Sequence, residues 1–145
     1  MTSADAVPAW LSDEWVEEVA RLAVERPVVD GVNATVVVSI SRGGRGSADV
    51  RYHWRYRDGV PGEGTAGAPA EADLSLAIAA GDAADILRGA VEPSVSYMRG
   101  RLKPSGDDAL LLRWLASTTT SAFGSWRRRV ASLSGLDPAG GGPAA

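Results

Sequence analysis

One segment constrains the fold more than any other, because its side chains alternate without exception between polar and apolar. It is residues 49–57, DVRYHWRYR, and a period of two places successive side chains on opposite faces of a β-strand. The segment therefore predicts a strand with one face in the core and the other in solvent. The inward set is Val50, Tyr52, Trp54 and Tyr56, and the outward set is Arg51, His53, Arg55 and Arg57.

Other segments indicate that this strand belongs to a sheet. Residues 34–41, ATVVVSIS, predict a strand that pairs with it as a hairpin. Residues 73–79, DLSLAIA, alternate in the same way, and at most a short edge strand is expected near residues 62–66. Residues 100–106 predict a last strand, which Pro104 restricts to the sheet edge because proline has no N–H to donate. The prediction is a mostly antiparallel sheet of four or five strands.

Helical patterns precede and follow the strands. Ser12 is a candidate N-cap for a first helix that ends before Pro27, and the apolar residues of this helix fall on one stripe. Short helices are predicted at residues 82–89 and from Pro93, and a leucine-rich helix over about residues 108–119. Since one sheet face is apolar and the other polar, the helices should cover one face only. The expected fold class is α+β.

The composition excludes several classes of site. The 145 residues fit one soluble domain. There is no cysteine and a single histidine, so disulfides, cysteine-ligated metals and thiol catalysis are excluded, and we expect no metal and no cofactor. The net charge of −3 argues against nucleic-acid binding. Without a signal-peptide pattern or an apolar run of about 20 residues, we expect a cytoplasmic protein with no transmembrane segment.

A block in the second half of the chain carries a resemblance to a known family. Residues 98–107, MRGRLKPSGD, resemble the Met-x-Gly-x-Leu-Lys-x-Ser-Gly-Asp segment of the sterol carrier protein 2 family. The strand at residues 72–76 and the short helix at residues 82–89 recur in that family in the same order. The resemblance extends more loosely over residues 12–119. Abundant Ala, Gly and Arg are typical of a GC-rich bacterial genome, so we expect a bacterial stand-alone member.

The resemblance implies a five-stranded sheet and helices that enclose an apolar cavity for a fatty acyl chain, a sterol or a similar lipid. Pro104 stands where the family usually has a β-branched apolar residue, so the last strand should pair less regularly. Apolar side chains suit a lipid tail because burial drives its binding, although a filled core would use the same residues. The expected ligand-binding residues are Val36, Val38, Ile40, Tyr52, Trp54, Tyr56, Leu74, Leu76, Ile78, Met98, Leu111, Trp114 and Leu115.

We divide the chain into four parts. Residues 1–11 are an N-terminal leader, and residues 12–120 are the lipid-binding domain. Residues 121–136 are an extra basic and aromatic helix beyond the usual limits of the family, and residues 137–145 are a Gly-, Pro- and Ala-rich tail that we expect to be disordered.

The extra helix is open to more than one interpretation. Aromatic and arginine side chains together are typical of a helix that lies on anionic lipid. The same side chains could instead pack over the cavity mouth, or contact a second copy or a partner protein, and packing is the favoured interpretation. The candidate residues for a transient membrane contact are Trp126, Arg127, Arg128 and Arg129.

Three functions follow from these observations. The first is a carrier that holds an apolar ligand without changing it, with an acidic headgroup near Arg99, Arg101 or Lys103. The second is an isomerase- or cyclase-associated enzyme, or enzyme accessory, that uses the same pocket. The third is a scaffold with a filled core that binds other proteins. His53 lies among arginines on the polar strand face, and we expect it to be a solvated surface residue. No catalytic residue is identified, and the oligomeric state stays open.

Overall fold

The computed structural model describes residues 8–43 and 48–136. Most of the expected leader and the expected disordered tail, residues 137–145, lie outside these ranges. The elements in chain order are α1 (Asp13–Arg21), a 3₁₀ helix (Leu22–Glu25), β1 (Ala34–Ser41), β2 (Val50–Arg57), β3 (Val60–Pro61), β4 (Thr65–Ala66), β5 (Leu74–Ala79), α2 (Ala80–Arg88), α3 (Pro93–Met98), β6 (Lys103–Gly106), α4 (Asp108–Ser117) and α5 (Ser121–Leu133).

The strands form one mixed sheet in the order β3–β2–β1–β5–β6, with β4 also paired to β2. The pairing of β1 with β5 is parallel and the others are antiparallel. Asp73 sets the parallel register, because its carboxylate accepts from the Thr35 N–H at 2.8 Å and its own N–H donates to the Thr35 carbonyl at 2.9 Å. The α+β class and the mostly antiparallel pairing are as expected.

The expected number of five strands is wrong, because the chain after β2 forms two short strands and the sheet has six. Between β3 and β4, the N–H of Gly64 donates to the Ala20 carbonyl of α1 at 2.8 Å. A Cβ at Gly64 would lie 2.6 Å from the carbonyl oxygens of both Ala20 and His53, so only glycine allows this close approach. The contact with α1 interrupts pairing along the edge of β2.

The alternation in β2 matches the observed faces of the sheet. Its four apolar residues are buried, whereas its three arginines are exposed and His53 is half-buried. The inward side chains of β1 and β5 are buried beside them. All the large buried side chains of the sheet's inward face join one hydrophobic core with the helices. The helices therefore cover one face of the sheet, as the alternation predicts.

Local hydrogen bonds and a glycine mark the ends of several helices, and the predicted cap at Ser12 is among them. The Ser12 hydroxyl accepts from the Trp15 N–H at 3.2 Å and caps α1, and the Asp107 carboxylate accepts from the Leu110 N–H at 3.0 Å and caps α4. Gly89 ends α2 with a φ of +84°. The edge strand β6 pairs with β5 alone, as Pro104 requires. No helix in residues 8–43 and 48–136 is long and apolar enough to cross a membrane.

Candidate ligand-binding cavity

An apolar cavity lies between the inward face of the sheet and the helices. Its volume is about 70 Å³, and its wall includes residues of α1, α2, α4 and α5 as well as of β1, β2 and β5. A cavity of this size is too small for a long acyl chain. A lipid tail would therefore have to widen it.

Only some of the expected ligand-binding residues line the cavity, and most of those lie on strands. Six of the expected residues line the cavity, and six others are buried in the core without lining it. The lining six are Val38, Ile40, Tyr52, Leu76, Ile78 and Trp114. The buried six outside the lining are Val36, Trp54, Tyr56, Leu74, Leu111 and Leu115. The expected set therefore mixes cavity residues with residues that only fill the core.

Met98 is a different case, because it is 81% exposed and lies away from the cavity. It is the last residue of α3, whose buried residues are Pro93 and Ser96, three positions apart on one helical face. Met98 follows Ser96 by two positions and therefore lies on the opposite face. Leu102, in the loop before β6, lines the cavity in its place.

Arg26 is the functional candidate that the sequence analysis missed. It follows the 3₁₀ helix, lines the cavity, and is the one charged side chain that is buried among the described residues, at 6% exposure. Its guanidinium carbon lies 3.9 Å from the ring centroids of both Trp54 and Trp126, and its Nη2 donates to the Tyr52 hydroxyl at 2.9 Å. Cation–π contacts of desolvated groups contribute about 2 kcal/mol each. The two indole rings therefore offset part of the cost of burying this charge.

The surroundings of Arg26 hold several hydrogen-bond donors that have no acceptor. Buried atoms without a partner include Nε of Arg26, Nε1 of Trp54, Nε1 of Trp126 and the Tyr56 hydroxyl. Burial raises the pKa of Tyr56 above its usual 10.0, while the positive charge of Arg26 and the Trp54 indole N–H act against that rise. The Trp54 N–H approaches the Tyr56 hydroxyl without forming a hydrogen bond of normal geometry.

The C-terminal helix α5 forms one wall of the cavity. Its residues Phe123, Trp126 and Val130 line the cavity and are nearly fully buried. After the helix, Ser134 accepts a buried hydrogen bond of 2.7 Å from the Trp15 indole N–H of α1. The helix thus packs on the core, in agreement with the favoured interpretation of this segment. Because Trp126 is buried, it cannot reach a membrane surface in this conformation.

Two ion pairs tie the exposed side of α5 to neighbouring segments. Arg127 Nη2 lies 2.9 Å from Glu92 Oε2, just before α3, and Arg129 Nε lies 3.5 Å from Glu25 Oε1, at the end of the 3₁₀ helix. Arg128 is exposed and hydrogen-bonds Ser125 within the helix. The basic run therefore contributes to holding α5 in place.

The other polar candidates from the sequence lie outside the cavity. The His53 Nδ1 is 2.8 Å from the Gly67 carbonyl oxygen, on the sheet face opposite the helices. The expected headgroup residues Arg99, Arg101 and Lys103 are exposed, and Arg101 pairs with Asp82 at 3.4 Å. The charged residue that lines the cavity itself is Arg26.

The lining of the cavity holds few titratable side chains. Its titratable side chains are Arg26 and Tyr52, and it includes no carboxylate and no imidazole. Within residues 8–43 and 48–136 there is no group of three or more histidine and carboxylate side chains placed to hold a metal ion.

Comparisons with solved structures identify the fold. A crystal structure of sterol carrier protein 2 matches 81% of this chain and 97% of its own length, with a TM-score of 0.63 and 17% identity. The solution structure of TT1886 from Thermus thermophilus, described as possibly a sterol carrier protein, matches 97% of this chain and 99% of its own length, with a TM-score of 0.64 and 16% identity.

A third similar structure is described as palmitated. Palmitated sterol carrier protein 2-like 2 from Aedes aegypti matches 72% of this chain and 92% of its own length, with a TM-score of 0.56 and 16% identity. No protein-family model matches the sequence, and no curated protein matches it. At these identities the comparisons establish a shared fold.

Proposed function

We propose that this chain, which has the sterol carrier protein 2 fold, is a lipid-binding carrier whose ligand inserts an apolar tail between the sheet and the helices. The observation that carries the proposal is the apolar cavity on the inward face of the sheet. Each methylene group that leaves water there contributes about 0.8 kcal/mol to binding. The palmitated relative of the same fold supports a single acyl chain as the occupant.

The small cavity volume requires a wall that can move. We infer that α5 is that wall, since Phe123 and Trp126 line the cavity and the helix packs over it. Movement of α5 would widen the cavity and admit the ligand without disturbing the sheet. Residues 121–136 then act as part of the binding domain.

The first experiment is native mass spectrometry of the purified protein, followed by organic extraction and identification of what is released. We expect a stoichiometric lipid, or uptake of palmitate after delipidation. An apo mass that stays unchanged with fatty acids, fatty alcohols, fatty esters, acyl-CoAs and sterols would contradict the carrier proposal. It would favour a filled-core scaffold or an enzyme specific for a different substrate.

A matched pair of variants tests where the ligand binds. Ala83→Leu adds a larger side chain to α2 inside the cavity, and Ala34→Leu adds the same atoms to a buried position of β1 outside it. We expect Ala83→Leu to abolish palmitate uptake with little loss of stability. Ala34→Leu should keep the ligand but lose about 1–3 kcal/mol of stability through overpacking. Equal palmitate affinity in the two variants would contradict this location.

A further inference from the structure

A second pocket lies beside α2 and α3 and shares no lining residue with the apolar cavity. Its volume is about 220 Å³, against about 70 Å³ for the cavity. On α2, Ala83 and Leu87 are buried and line the cavity, whereas two aspartates three positions apart lie on the other side of the helix and line the second pocket. The lining of this polar pocket consists of Asp82, Asp85, Val91, Ser96, Arg99 and Arg101.

Ser96 is the buried polar side chain of the polar pocket. The residue is 1% exposed, and its hydroxyl has no hydrogen-bond partner among the described residues. The Ser96 carbonyl accepts from the N–H groups of Arg101 at 2.9 Å and Leu102 at 3.2 Å, so the chain that leads to β6 fixes the backbone of this residue. Buried polar groups normally have a partner, and a hydroxyl can donate and accept. The Ser96 hydroxyl is therefore available to a ligand.

The charged side chains of the polar pocket form one ion pair and leave two groups over. Arg101 Nη1 lies 3.4 Å from Asp82 Oδ1. None of the ion pairs in the described part of the chain includes Asp85 or Arg99. Asp85 is half-buried, and Arg99 is exposed where the pocket meets solvent. The polar pocket thus offers a ligand one carboxylate and one guanidinium, together with the Ser96 hydroxyl.

The presence of both charges in one pocket restricts the class of ligand. A simple anion would be attracted by the two arginines and repelled by the two aspartates, and a simple cation would meet the reverse. A small zwitterion has a group for each, because its ammonium donates to a carboxylate while its own anionic group accepts from a guanidinium. Val91 supplies an apolar part of the lining and suits a short hydrocarbon side chain.

We propose that the polar pocket binds a free α-amino acid with a small side chain, whose ammonium is bound by Asp85 and whose carboxylate is bound by Arg99. The planar guanidinium matches a carboxylate in shape and charge. The Ser96 hydroxyl supplies a further hydrogen bond. This site is additional to the proposed carrier function and does not depend on it, since the pocket and the cavity have no lining residue in common.

The test compares L-alanine with propionate and ethylamine, each of which keeps only one of its two charges. Titration of the wild-type protein by NMR gives the three affinities. A charge-assisted hydrogen bond is worth on the order of a 10- to 100-fold difference in affinity, and we expect alanine to bind more tightly than either analogue by that factor. The amide signals of residues 96–101 should shift most. Equal affinities would mean adventitious ion binding only, and either this result or unshifted amides would overturn the proposal.

O-phosphoethanolamine tests which anionic group the polar pocket takes, because it keeps the ammonium and replaces the carboxylate by a phosphate. We expect it to bind more weakly than alanine, since Asp82 and Asp85 repel the larger negative charge. Tighter binding of O-phosphoethanolamine would identify a phosphate site and overturn the assignment to an amino acid.

Ser96→Ala separates a binding role from a structural one. Because the hydroxyl has no partner among the described residues, its removal should not lower the free energy of unfolding. The affinity for alanine should nevertheless fall by about two- to tenfold, the worth of one hydrogen bond. An unchanged affinity in Ser96→Ala would contradict a contact between this hydroxyl and the ligand.

A matched pair of variants tests the carboxylate. Asp85→Asn and Glu71→Gln each remove one negative charge, but Glu71 is exposed in the loop before β5 and does not line the polar pocket. Asp85→Asn should bind alanine no more tightly than propionate, whereas Glu71→Gln should keep the preference of the wild-type protein. Equal alanine affinities of the two variants would overturn the proposal.

The guanidinium is tested in the same way at an exposed position, where a substitution leaves the fold intact. Arg99→Met should bind alanine no more tightly than ethylamine, and Arg57→Met, at an exposed residue of β2, is the control that should keep the full preference. If Asp85→Asn does not fold, which thermal melting detects, this second pair decides. An Arg99→Met variant with the alanine affinity of the control would overturn the carboxylate assignment.

Discussion

The guanidinium of Arg26 lies 3.9 Å from the ring centroid of Trp126, and this contact joins the segment after α1 to helix α5. On its other face the same guanidinium lies 3.9 Å from Trp54 of β2. One side chain thus bridges the sheet and α5 across the wall of the cavity. The position of α5 is therefore coupled to the charged end of the cavity.

Truncation of Trp126 tests how strongly α5 belongs to the core. We expect Trp126→Ala to lower the free energy of unfolding by about 3–5 kcal/mol, because it removes a buried aromatic ring and one of the two stacking partners of Arg26. Urea unfolding measures the change. Leu112→Ala, at a residue 64% exposed on α4, should change stability by no more than about 0.5 kcal/mol. Equal effects of the two truncations would contradict a buried role for α5.

The hydrogen bond between α1 and the end of α5 is a second test. Ser134→Ala should cost about 1–3 kcal/mol in the free energy of unfolding, since it leaves the buried Trp15 indole N–H without an acceptor. Ser132 is exposed in the last turn of the same helix, so Ser132→Ala is the matched control and should change stability little. Chemical denaturation of both variants checks the prediction. A Ser134→Ala variant as stable as the control would mean that the Trp15 N–H finds another partner.

The ion pairs of α5 should control the rate of ligand exchange rather than stability. The double variant Glu25→Gln and Glu92→Gln removes both pairs, each of which is partly exposed and worth at most about 1 kcal/mol. If α5 moves to release the ligand, the release rate should rise by about two- to tenfold. Stopped-flow release of a fluorescent fatty acid measures it.

A control for this prediction is available within α1. Glu18 pairs with Arg21 of the same helix, so Glu18→Gln removes an ion pair in which no residue of α5 takes part. Release from Glu18→Gln should match the wild-type protein. Equal release from the double variant and this control would place the exit route elsewhere.

Tyr56 should make the fold sensitive to high pH. Its pKa is raised in the folded protein, so above pH 10.0 the unfolded chain loses the tyrosine proton before the folded protein does. The contribution of Tyr56 to stability is complete below pH 10.0 and is lost as the pH rises toward the folded pKa. The slope is at most about 1.4 kcal/mol per pH unit.

Tyr56→Phe removes the dependence of stability on pH that the Tyr56 hydroxyl causes. Unfolding curves measured on both sides of pH 10.0 should therefore show a smaller alkaline loss of stability in Tyr56→Phe than in the wild-type protein. Tyr97→Phe, at a half-buried tyrosine of α3, is the control and should keep the wild-type slope. Parallel pH profiles of wild-type protein and Tyr56→Phe would contradict the assignment of the slope to Tyr56.

The strands and helix caps were predictable because their signals are local. The alternation of β2 needs only nine consecutive residues, and the cap at Ser12 needs only the following turn. The parallel pairing of β1 with β5 was not predictable in this way. It depends on a contact between Asp73 and Thr35, which are far apart along the chain.

The residues of the candidate site also fall into two groups: some follow from local sequence patterns, and the others depend on tertiary contacts. Residues such as Val38 and Leu76 followed from strand alternation, although their neighbours Val36 and Leu74 have the same pattern and do not line the cavity. The Met98 prediction was wrong because a six-residue helix has too few apolar positions to define its buried face. Arg26 precedes Pro27 outside any periodic segment, and its burial depends on aromatic rings from β2 and α5.

The sequence by itself determined the longer strands and the helices, and which face of each of these strands is buried, because these depend on side-chain periodicity and on hydrogen bonds within one turn. The tertiary structure alone decided the six-stranded mixed sheet, the cavity, and the burial of Arg26 between Trp54 and Trp126. A cavity is the space left after all elements have packed, and the cost of a buried charge depends on partners that are distant along the chain.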